Sequence, residues 1–499
     1  MAPWLGVLLG LNTTVLLGVL LLIIIYLALS SPGKSSLRFP PGPRPLPIIG
    51  NLHLLDIRRQ DLSYMKISEN YGSIFSLFFG SQRVVVLTGF ETVIEALMSN
   101  EFVGRPPLPI FLQMDHENGL FFSGGDLWKT TRRFTLSSLR ELGMGKTRLE
   151  KKIQDELPFL TEKIKSFNGK VLDLKEFSCA PTNVSFTLFF GDRFDYADPV
   201  FNIFLRNVNE IIGLLGEPHL QIYNVYPHLG FLFKPHKIII KRTQETYALL
   251  KKFIRAGKQC INENHLESYV DKMVFKQQEE EKHKENNKFY DDNIIASLFD
   301  LVIAGTETTA VTIQWAIVLM MKYPEIQRKV QEEIHRVLGP DRLPTYEDRK
   351  LLPYSEAVIS EVQRFSSLVP QFPRSTVVDT LFRGYFIPKG TMVIPSLTSV
   401  MYDKTQWETP FQFNPNHFLD DKGKYVKKAA FIPFSIGRRN CVGEAVGRME
   451  VFMFFVGLLQ KFTFRPPPGI TEDDLDLSYV SAFTRRPQPY STCAVPCCE

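Results

Sequence analysis

The sequence lacks several patterns by which common protein classes are recognised. Its six cysteines are scattered among 499 residues without the spacing of a disulfide framework, which fits a reducing compartment. Its nine histidines show no His-Glu-x-x-His or other paired-ligand spacing. The net charge of +5 is mild and no dense Lys/Arg run is present, so nucleic acid is not an expected partner.

A phosphate-binding loop and a prenylation motif are also missing. Gly145-Lys-Thr147 has the end of a phosphate loop, but Arg140 stands where its first glycine is required. Pro496 is the fourth residue from the end, where a prenylated cysteine would stand. Residues 491–499, with their three cysteines Cys493, Cys497 and Cys498, are therefore predicted to be a flexible tail, with palmitoylation as the weaker alternative.

Near the N-terminus lies a long apolar run. Residues 4–29 carry no charge and are long enough to span a bilayer. A cleaved signal peptide is the alternative, but it needs a basic start and a shorter apolar stretch. Lys34, Arg38 and Arg44 follow, which places the remaining chain in the cytosol. The sequence predicts an anchor with its flank over 1–33 and a stiff proline-rich hinge over 34–51.

One cysteine stands in an unusual setting, Phe434-Ser-Ile-Gly-Arg-Arg-Asn-Cys441-Val-Gly443. A helix is predicted to begin at Gly443, and a helix N-terminus together with two arginines favours a thiolate. The flanking glycines permit a tight turn and close approach of a flat partner. On these residues alone, Cys441 is a buried structural cysteine, a nucleophile or a metal ligand.

A long helix is predicted from Asp292, as its N-cap, to Lys322. Its middle, Ala304-Gly-Thr-Glu-Thr-Thr309, is unfavourable for a buried helix, because glycine and threonine are poor helix formers and Glu307 is a charge. Small residues at 304 and 305 would let a flat ring approach, and Thr308 can bond back into the helix and hold a water. A kink without chemistry is the alternative.

Two further pairs have helical spacing. Trp128 and Arg132 at i,i+4 could clamp a carboxylate, or be a chance pair on a surface helix. Glu361 and Arg364 at i,i+3 would, in isolation, be a weak surface ion pair. The segment Gly216–Pro235 is apolar, aromatic and broken by prolines, which fits either a core loop or an exposed apolar tip around Phe231.

Together these stretches resemble the cytochrome P450 family. Phe434-x-x-Gly-x-Arg-x-Cys441-x-Gly443 fills every position of its haem-thiolate signature. Residues 304–309 resemble its oxygen-activating groove, and Glu361-x-x-Arg364 its buried structural pair. Many members have arginine at the position of His417. Histidine is common at this position in the vertebrate microsomal family-2 branch, which this chain resembles. The resemblance implies a mainly α fold with a smaller β-rich portion over 52–490, preceded by a transmembrane helix.

The resemblance implies haem b as cofactor, with Cys441 as axial ligand of the iron. Thr308 and Glu307 are then the catalytic pair that delivers protons to bound O2. The implied haem contacts are Arg105, Trp128, Arg132, Ala304, Arg374, Phe434, Arg439 and Gly443. The structural set is Glu361, Arg364 and His417. The substrate-lining set is Ile110, Leu120, Phe121, Phe299, Ile303, Val369, Phe372, Val480 and Phe483.

The implied function is a monooxygenase that inserts one atom of O2 into small lipophilic molecules such as xenobiotics, fatty acids or steroids. Electrons would come from NADPH through a flavoprotein reductase, with cytochrome b5 as a further donor, docked on Arg133, Arg140, Lys428 and Arg438. The implied location is the endoplasmic reticulum membrane, and the 216–235 segment would be a lid that touches lipid. A haem-thiolate isomerase or dehydratase, and a non-enzymatic haem or lipid binder, are the alternatives.

Overall fold

The computed structural model describes residues 13, 15–22, 38–114, 117–260, 262–263, 265–283 and 287–497. The predicted anchor lies mostly outside these residues. Its described part, residues 13 and 15–22, is helical with exposed side chains. Within the described part of the chain, one helix, Asp291–Lys322, is long and apolar enough to cross a membrane, but 83% of its most apolar stretch is buried inside the protein.

Helices make up most of the chain, as predicted. They are α1 Gln60–Tyr71, α2 Phe90–Met98, α3 Pro109–Gln113, α4 Gly125–Glu141, α5 Thr147–Lys165, α6 Cys179–Phe190, α7 Pro199–Leu215, α8 Pro218–Val225, α9 Pro235–Cys260, α10 Tyr269–His283, α11 Asp291–Lys322, α12 Pro324–Leu338, α13 Pro353–Ser366, α14 Leu397–Met401 and α15 Glu444–Lys461. Short 3-10 helices lie at Leu52–Leu54, Leu174–Ser178, Pro227–Leu232, Tyr346–Lys350 and Pro415–Phe418.

The strands form small sheets at the edges of the helical body. They are β1 Ile74–Phe79, β2 Gln82–Leu87, β3 Val171–Asp173, β4 Arg374–Ser375, β5 Thr380–Phe382, β6 Tyr385–Ile387, β7 Met392–Pro395, β8 Phe462–Arg465, β9 Tyr479–Ser481, β10 Arg485–Pro487 and β11 Ser491–Pro496. The largest sheet has the order β1-β2-β7-β4, in which β1 and β2 form an antiparallel hairpin and β7 joins β2 in parallel.

The central helix α11 runs through the main hydrophobic core. It begins one residue before the predicted cap, with Tyr290 as N-cap, and ends at Lys322 as predicted. Asp291 and Asp292 both lie in the first turn, where negative charge is favourable. Most of its side chains are buried on every side, because α6, α7, α15 and β10 pack around it.

The prediction of a flexible tail over 491–499 is wrong for residues 491–496. They form β11, the central strand of the sheet β3-β11-β8. Cys493 is buried there and pairs with Val171 on one side and Arg465 on the other. The short apolar run Cys493-Ala-Val495 is a strand because two distant strands supply its backbone partners, which the local sequence does not reveal.

The described part of the proline-rich segment is attached to the body rather than free. Ser76 of β1 donates to Pro41 O through its backbone N–H (2.7 Å) and to Pro40 O through its hydroxyl (2.9 Å). A side chain at Gly42 would meet the Ser76 carbonyl oxygen at 1.9 Å, so glycine is required for this approach. The segment therefore fixes where the chain enters the sheet.

Candidate active site

The loop before α15 holds Cys441 in a strained, closely packed turn. Ser435 and Gly437 have positive φ angles of 57° and 77°. A Cβ at Gly437 would lie 2.0 Å from the carbonyl oxygen of Leu97, so only glycine fits. The Cys441 N–H donates to the Phe434 carbonyl oxygen at 2.9 Å, which closes the loop. The helix begins at Glu444 with Gly443 as its N-cap, as predicted to within one residue.

The thiol of Cys441 is less acidic than its position suggests. Its side chain is accessible to solvent, yet the protein around it raises the pKa of the thiol to about 11. The Gly443 N–H at the helix N-terminus lowers this pKa, as predicted, and so does the charge of Arg132, which the prediction did not include. Desolvation by the surrounding protein outweighs both, so the features that favour a thiolate do not prevail in the protein alone. A bound metal deprotonates a coordinating thiol outright, so Cys441 suits a metal ligand better than a free nucleophile.

Four arginines with little compensating charge lie near this cysteine: Arg105, Arg132, Arg374 and Arg439. Burial and mutual repulsion lower the pKa of Arg439 to about 8, and burial with repulsion from Arg132 lowers that of Arg374 to about 10. The pKa of Arg105 is also well below its usual range, for the same reasons. Within the described residues none of the four forms an ion pair with a carboxylate, so this arginine cluster is suited to an anionic ligand.

Backbone oxygens fix three of these arginines. Arg132 donates to the carbonyl (2.7 Å) and the side chain (2.6 Å) of Asn440, directly before Cys441. Arg105 donates to Phe121 O at 2.8 Å and to Pro373 O at 2.5 Å. Arg439 donates to Val103 O (3.0 Å) and Ser123 O (2.7 Å). The cluster is therefore held in place by the loops that surround it.

Two buried donors at this cluster have no partner among the described residues. They are Nε1 of Trp128, which is 4% exposed, and Nη1 of Arg374, also 4% exposed. The guanidinium of Arg439 lies 3.7 Å from the centroid of the Trp128 ring. Leaving such donors unsatisfied is costly, so their presence indicates a ligand that accepts hydrogen bonds. The two carboxylates of a haem would fit these donors and charges.

Three consecutive residues of α11 face three different neighbours. Thr308, on the half-exposed face that it shares with Ala304, donates to the Ala304 carbonyl oxygen at 2.9 Å. Glu307 faces β10, and Thr309 faces α15. Gly305 was predicted to let a flat ring approach α11, but it faces α6 instead. A Cβ at Gly305 would meet Ser185 Oγ of α6 at 2.5 Å. Gly305 is required for the packing of α11 on α6.

Glu307 is fully engaged by a buried ion pair. Its carboxylate receives Nε (2.7 Å) and Nη2 (2.8 Å) of Arg486 and the hydroxyl of Thr484 (2.7 Å). It is 3% exposed and bonds away from Thr308. In this conformation Glu307 does not reach the Thr308 hydroxyl, which departs from the predicted proton relay. The sequence could not show this, because Arg486 is distant along the chain.

Glu361, Arg364 and His417 lie in one buried network, as the resemblance implies. Arg364 donates to both Glu361 oxygens at 2.7 and 2.8 Å, and both residues are 0% exposed. The Thr409 N–H donates to His417 Nε2, so Nδ1 carries the proton and donates to Glu361 at 3.2 Å. The remaining Arg364 donors go to the carbonyls of Met401, Pro410 and Gln412, which leaves the network complete.

The predicted substrate-lining residues separate into groups. Ile110, Phe372 and Phe483 line one cavity with Phe111, Phe122, Leu108 and Gln371. Phe121 contacts Phe372 edge to face at 6.1 Å, and Leu120, Phe299 and Ile303 are buried in the adjoining core. Val369 is half-buried and does not line this cavity. Val480 is 42% exposed and also lies outside it, because its neighbours Tyr479 and Ser481 point inward from β9.

A buried carboxyl group on α11, missed from the sequence, holds the lining loop. Asp300 Oδ2 accepts the N–H groups of Leu120 (2.6 Å) and Phe121 (2.9 Å), and Asn293 accepts that of Gly119 (2.9 Å). Burial raises the pKa of Asp300 to about 7. An acid within an apolar helix is a sequence signal for such a role. The same loop is held on its carbonyl side by Arg105 and Arg439.

A cysteine at the end of a tight loop, a cationic cluster with unsatisfied donors and a threonine groove are together what a haem-thiolate oxygenase requires. The chain matches the Cytochrome P450 family over residues 40–494 and belongs to that family. It is 47% identical to Cytochrome P450 2W1 of Homo sapiens over 462 residues, 92% of this chain and 94% of that one. It is 43% identical to Cytochrome P450 2K1 of Oncorhynchus mykiss over 491 residues, 97% of each. The predicted fold class, family and haem cofactor are confirmed, and the chain is a monooxygenase.

Proposed function

We propose that Cys441 is the axial ligand of the haem iron and that the arginine cluster, with Trp128, holds the haem propionates. The observation that carries this assignment is the pair of buried donors without a partner, Trp128 Nε1 and Arg374 Nη1, beside the cysteine loop. Phe434 lies against Gly447 of α15, where a Cβ would be 3.4 Å from its ring, and its carbonyl oxygen accepts the Cys441 N–H. When bound, haem supplies activation of O2 and insertion of one oxygen atom.

We propose that Thr308 is the residue that handles protons on the oxygen side. Its hydroxyl donates to Ala304 O, so its oxygen remains able to accept from a water. Glu307 holds this turn by its ion pair with Arg486 rather than carrying a proton itself. The ion pair ties α11 to β10, next to Phe483 of the substrate cavity. The Glu307–Arg486 ion pair then fixes both the turn that carries Thr308 and the strand next to the cavity wall.

The substrates proposed are small lipophilic molecules, such as xenobiotics, fatty acids or steroids. Part of the cavity wall consists of aromatic and aliphatic side chains, among them Ile110, Phe122, Phe372 and Phe483, and the rest is polar, with Arg58, Asp61 and Arg485. Phe372 contacts Phe121, Phe122 and Phe483 edge to face. The apolar part of the wall favours lipophilic ligands of suitable shape, and polar groups at its other side chains could orient them.

Electrons are proposed to arrive at the surface near the cysteine loop. Arg133, Arg140, Lys428 and Arg438 are all exposed. Exposed basic residues steer an acidic partner and raise its association rate. The proposed partner is the NADPH-dependent flavoprotein reductase, with cytochrome b5 as a second donor to the same surface.

The proposed location is the endoplasmic reticulum membrane, with the catalytic body in the cytosol. Leu229, Phe231 and Leu232 are 40%, 72% and 61% exposed at the end of the α8 segment. Ile48 is 77% exposed, and its carbonyl oxygen accepts the Tyr226 hydroxyl of that segment. The two apolar stretches therefore lie together, and a combined apolar surface of this kind suits contact with lipid.

The test is the spectrum of the dithionite-reduced, CO-bound protein. We expect a strongly red-shifted Soret band in the wild type that is lost in Cys441→Ser, with Cys179→Ser as the matched control that keeps it. Persistence of the band in Cys441→Ser would overturn the ligand assignment. With reductase, NADPH and a lipophilic substrate, Thr308→Ala should consume NADPH but form less product, whereas Thr312→Ala should behave as wild type.

A further inference from the structure

A buried hydrogen bond joins α11, which carries Thr308, to α15, which follows Cys441. Thr309 Oγ1 on α11 donates to Glu450 Oε2 on α15 at 2.8 Å. Thr309 is 4% exposed and Glu450 is 1% exposed. The two helices pack against each other along this line. Within the described residues, this is the side-chain hydrogen bond that links α11 to α15.

Glu450 has no cation to balance a negative charge. Within the described residues no ion pair includes it, and its second oxygen has no hydrogen-bond partner. Burial raises the pKa of its carboxyl group to about 8. A buried acid without a cation is held in its neutral form, because an isolated charge costs far more than an unsatisfied hydroxyl group.

The same contact reaches the loop that holds the cysteine. A Cβ at Gly447 would lie 3.4 Å from Phe434 Cε1 and 3.9 Å from Thr309 Oγ1, so these groups share one surface of α15. Phe434 in turn accepts the Cys441 N–H. Because Gly447 has no side chain, it adds no side-chain packing between α11 and α15, and the hydrogen bond from Thr309 to Glu450 is the polar contact beside it.

We propose that the Thr309–Glu450 hydrogen bond is a positioning contact that sets the distance between the cysteine loop and the groove at residues 304–308. Thr308 and Thr309 are consecutive, so fixing one fixes the direction of the other. Glu450 acts as a neutral acceptor, and its task is to hold α15, and with it Cys441, against the oxygen-side helix. The proposal rests on the function proposed above, in which Cys441 binds the iron and Thr308 faces O2.

The experiment follows the lifetime of the red-shifted carbonyl band after reduction, together with the haem reduction potential. Thr309→Val keeps the shape and removes the hydroxyl group. We expect its band to decay about tenfold faster, since a lost buried hydrogen bond costs on that order. Thr312→Val is the matched control, because the Thr312 hydroxyl donates only within α11, to Thr308 O at 2.8 Å. It should keep the wild-type lifetime.

Conservative variants separate the hydrogen bond from packing and charge. Thr309→Ser keeps the donor, and Glu450→Gln keeps a neutral acceptor, so both should retain the lifetime and potential of the wild type. Glu450→Leu should decay as fast as Thr309→Val. Gly447→Ala adds contacts to Phe434 and Thr309 and should restore part of the lifetime of Glu450→Leu.

Three results would overturn the proposal. A wild-type lifetime in Thr309→Val would show that the bond positions nothing. A Thr309→Ser variant as short-lived as Thr309→Val would assign the effect to the methyl group. A Glu450→Gln variant as short-lived as Glu450→Leu would exclude a neutral acceptor. Absence of the red-shifted band in the wild type would instead contradict the proposed function, so the two failures are distinguishable.

Discussion

Arg364 and the arginine cluster around Cys441 are both sets of enclosed cations, but they differ in what surrounds them. Arg364 donates to the Glu361 carboxylate and to three carbonyl oxygens, so every N–H group of its guanidinium has an acceptor. The cluster has carbonyl oxygens but no paired carboxylate, and Arg374 Nη1 has no partner within the described residues. A complete network supports the fold, whereas an incomplete one is prepared for a ligand. The difference is visible without any ligand.

The largest expected effect follows from breaking the complete network. Glu361→Gln leaves the Arg364 charge buried without its carboxylate, and we expect a loss of about 3–5 kcal/mol in the free energy of unfolding. Thermal unfolding and the yield of folded protein measure it. Glu347→Gln, which removes an exposed partner of Lys350, is the control and should unfold as the wild type does. Equal unfolding temperatures for both variants would contradict the structural role.

The opposite result is expected in the incomplete network. Arg374→Met removes a charge that repels Arg439, so the haem-free protein should be no less stable than the wild type. Haem affinity should fall by about 3 kcal/mol, since a charge-assisted contact to a propionate is lost. Transfer of haem to an excess of apo-globin measures this loss. An unstable haem-free variant with unchanged haem transfer would reverse the comparison.

A smaller effect of the same kind is expected at Trp128. Trp128→Phe removes the donor without a partner together with part of the ring, and haem should dissociate more readily by about 1.5 kcal/mol. The haem-free protein should lose less stability than it does in Trp407→Phe, because the donor removed at Trp128 has no partner. Trp407→Phe is the control, since its Nε1 already donates to Val400 O and its loss should lower stability without a specific effect on haem transfer.

Glu450 lies between the two networks in kind, because it is a buried acid without a cation. Its contribution to the free energy of unfolding should depend on pH. Its pKa in the folded protein is about 8, above the usual 4.5, so the folded state binds more protons than the unfolded chain between these values. Stability from this group therefore falls as pH rises from 4.5 to 8, with a slope of at most about 1.4 kcal/mol per pH unit.

Urea unfolding at several pH values tests this prediction. Glu450→Gln should flatten the fall in stability between these pH values, and Asp300 should account for much of what remains, because burial raises its pKa to about 7. The control is Glu347→Gln, whose exposed carboxyl group should leave the slope unchanged. A Glu450→Gln variant with the full wild-type slope would show that folding does not raise the pKa of Glu450.

The sequence predicted those parts that depend on local spacing. The cysteine loop, the helix after it, the Glu361–Arg364 pair and the span of α11 lie within short stretches. The partners of those residues across the fold could not be predicted. Arg486 for Glu307, Glu450 for Thr309 and the amides held by Asp300 are all distant in the chain. Strand β11 was missed for the same reason, because β3 and β8 supply its partners.

The order of side chains around α11 has an evolutionary consequence. Residues 307, 308 and 309 are consecutive, and each step around a helix turns by about 100°. Inserting or deleting one residue before them would direct Glu307 away from Arg486, Thr308 away from the groove and Thr309 away from Glu450 at once. A substitution leaves this register intact, whereas a one-residue insertion or deletion disrupts all three contacts together.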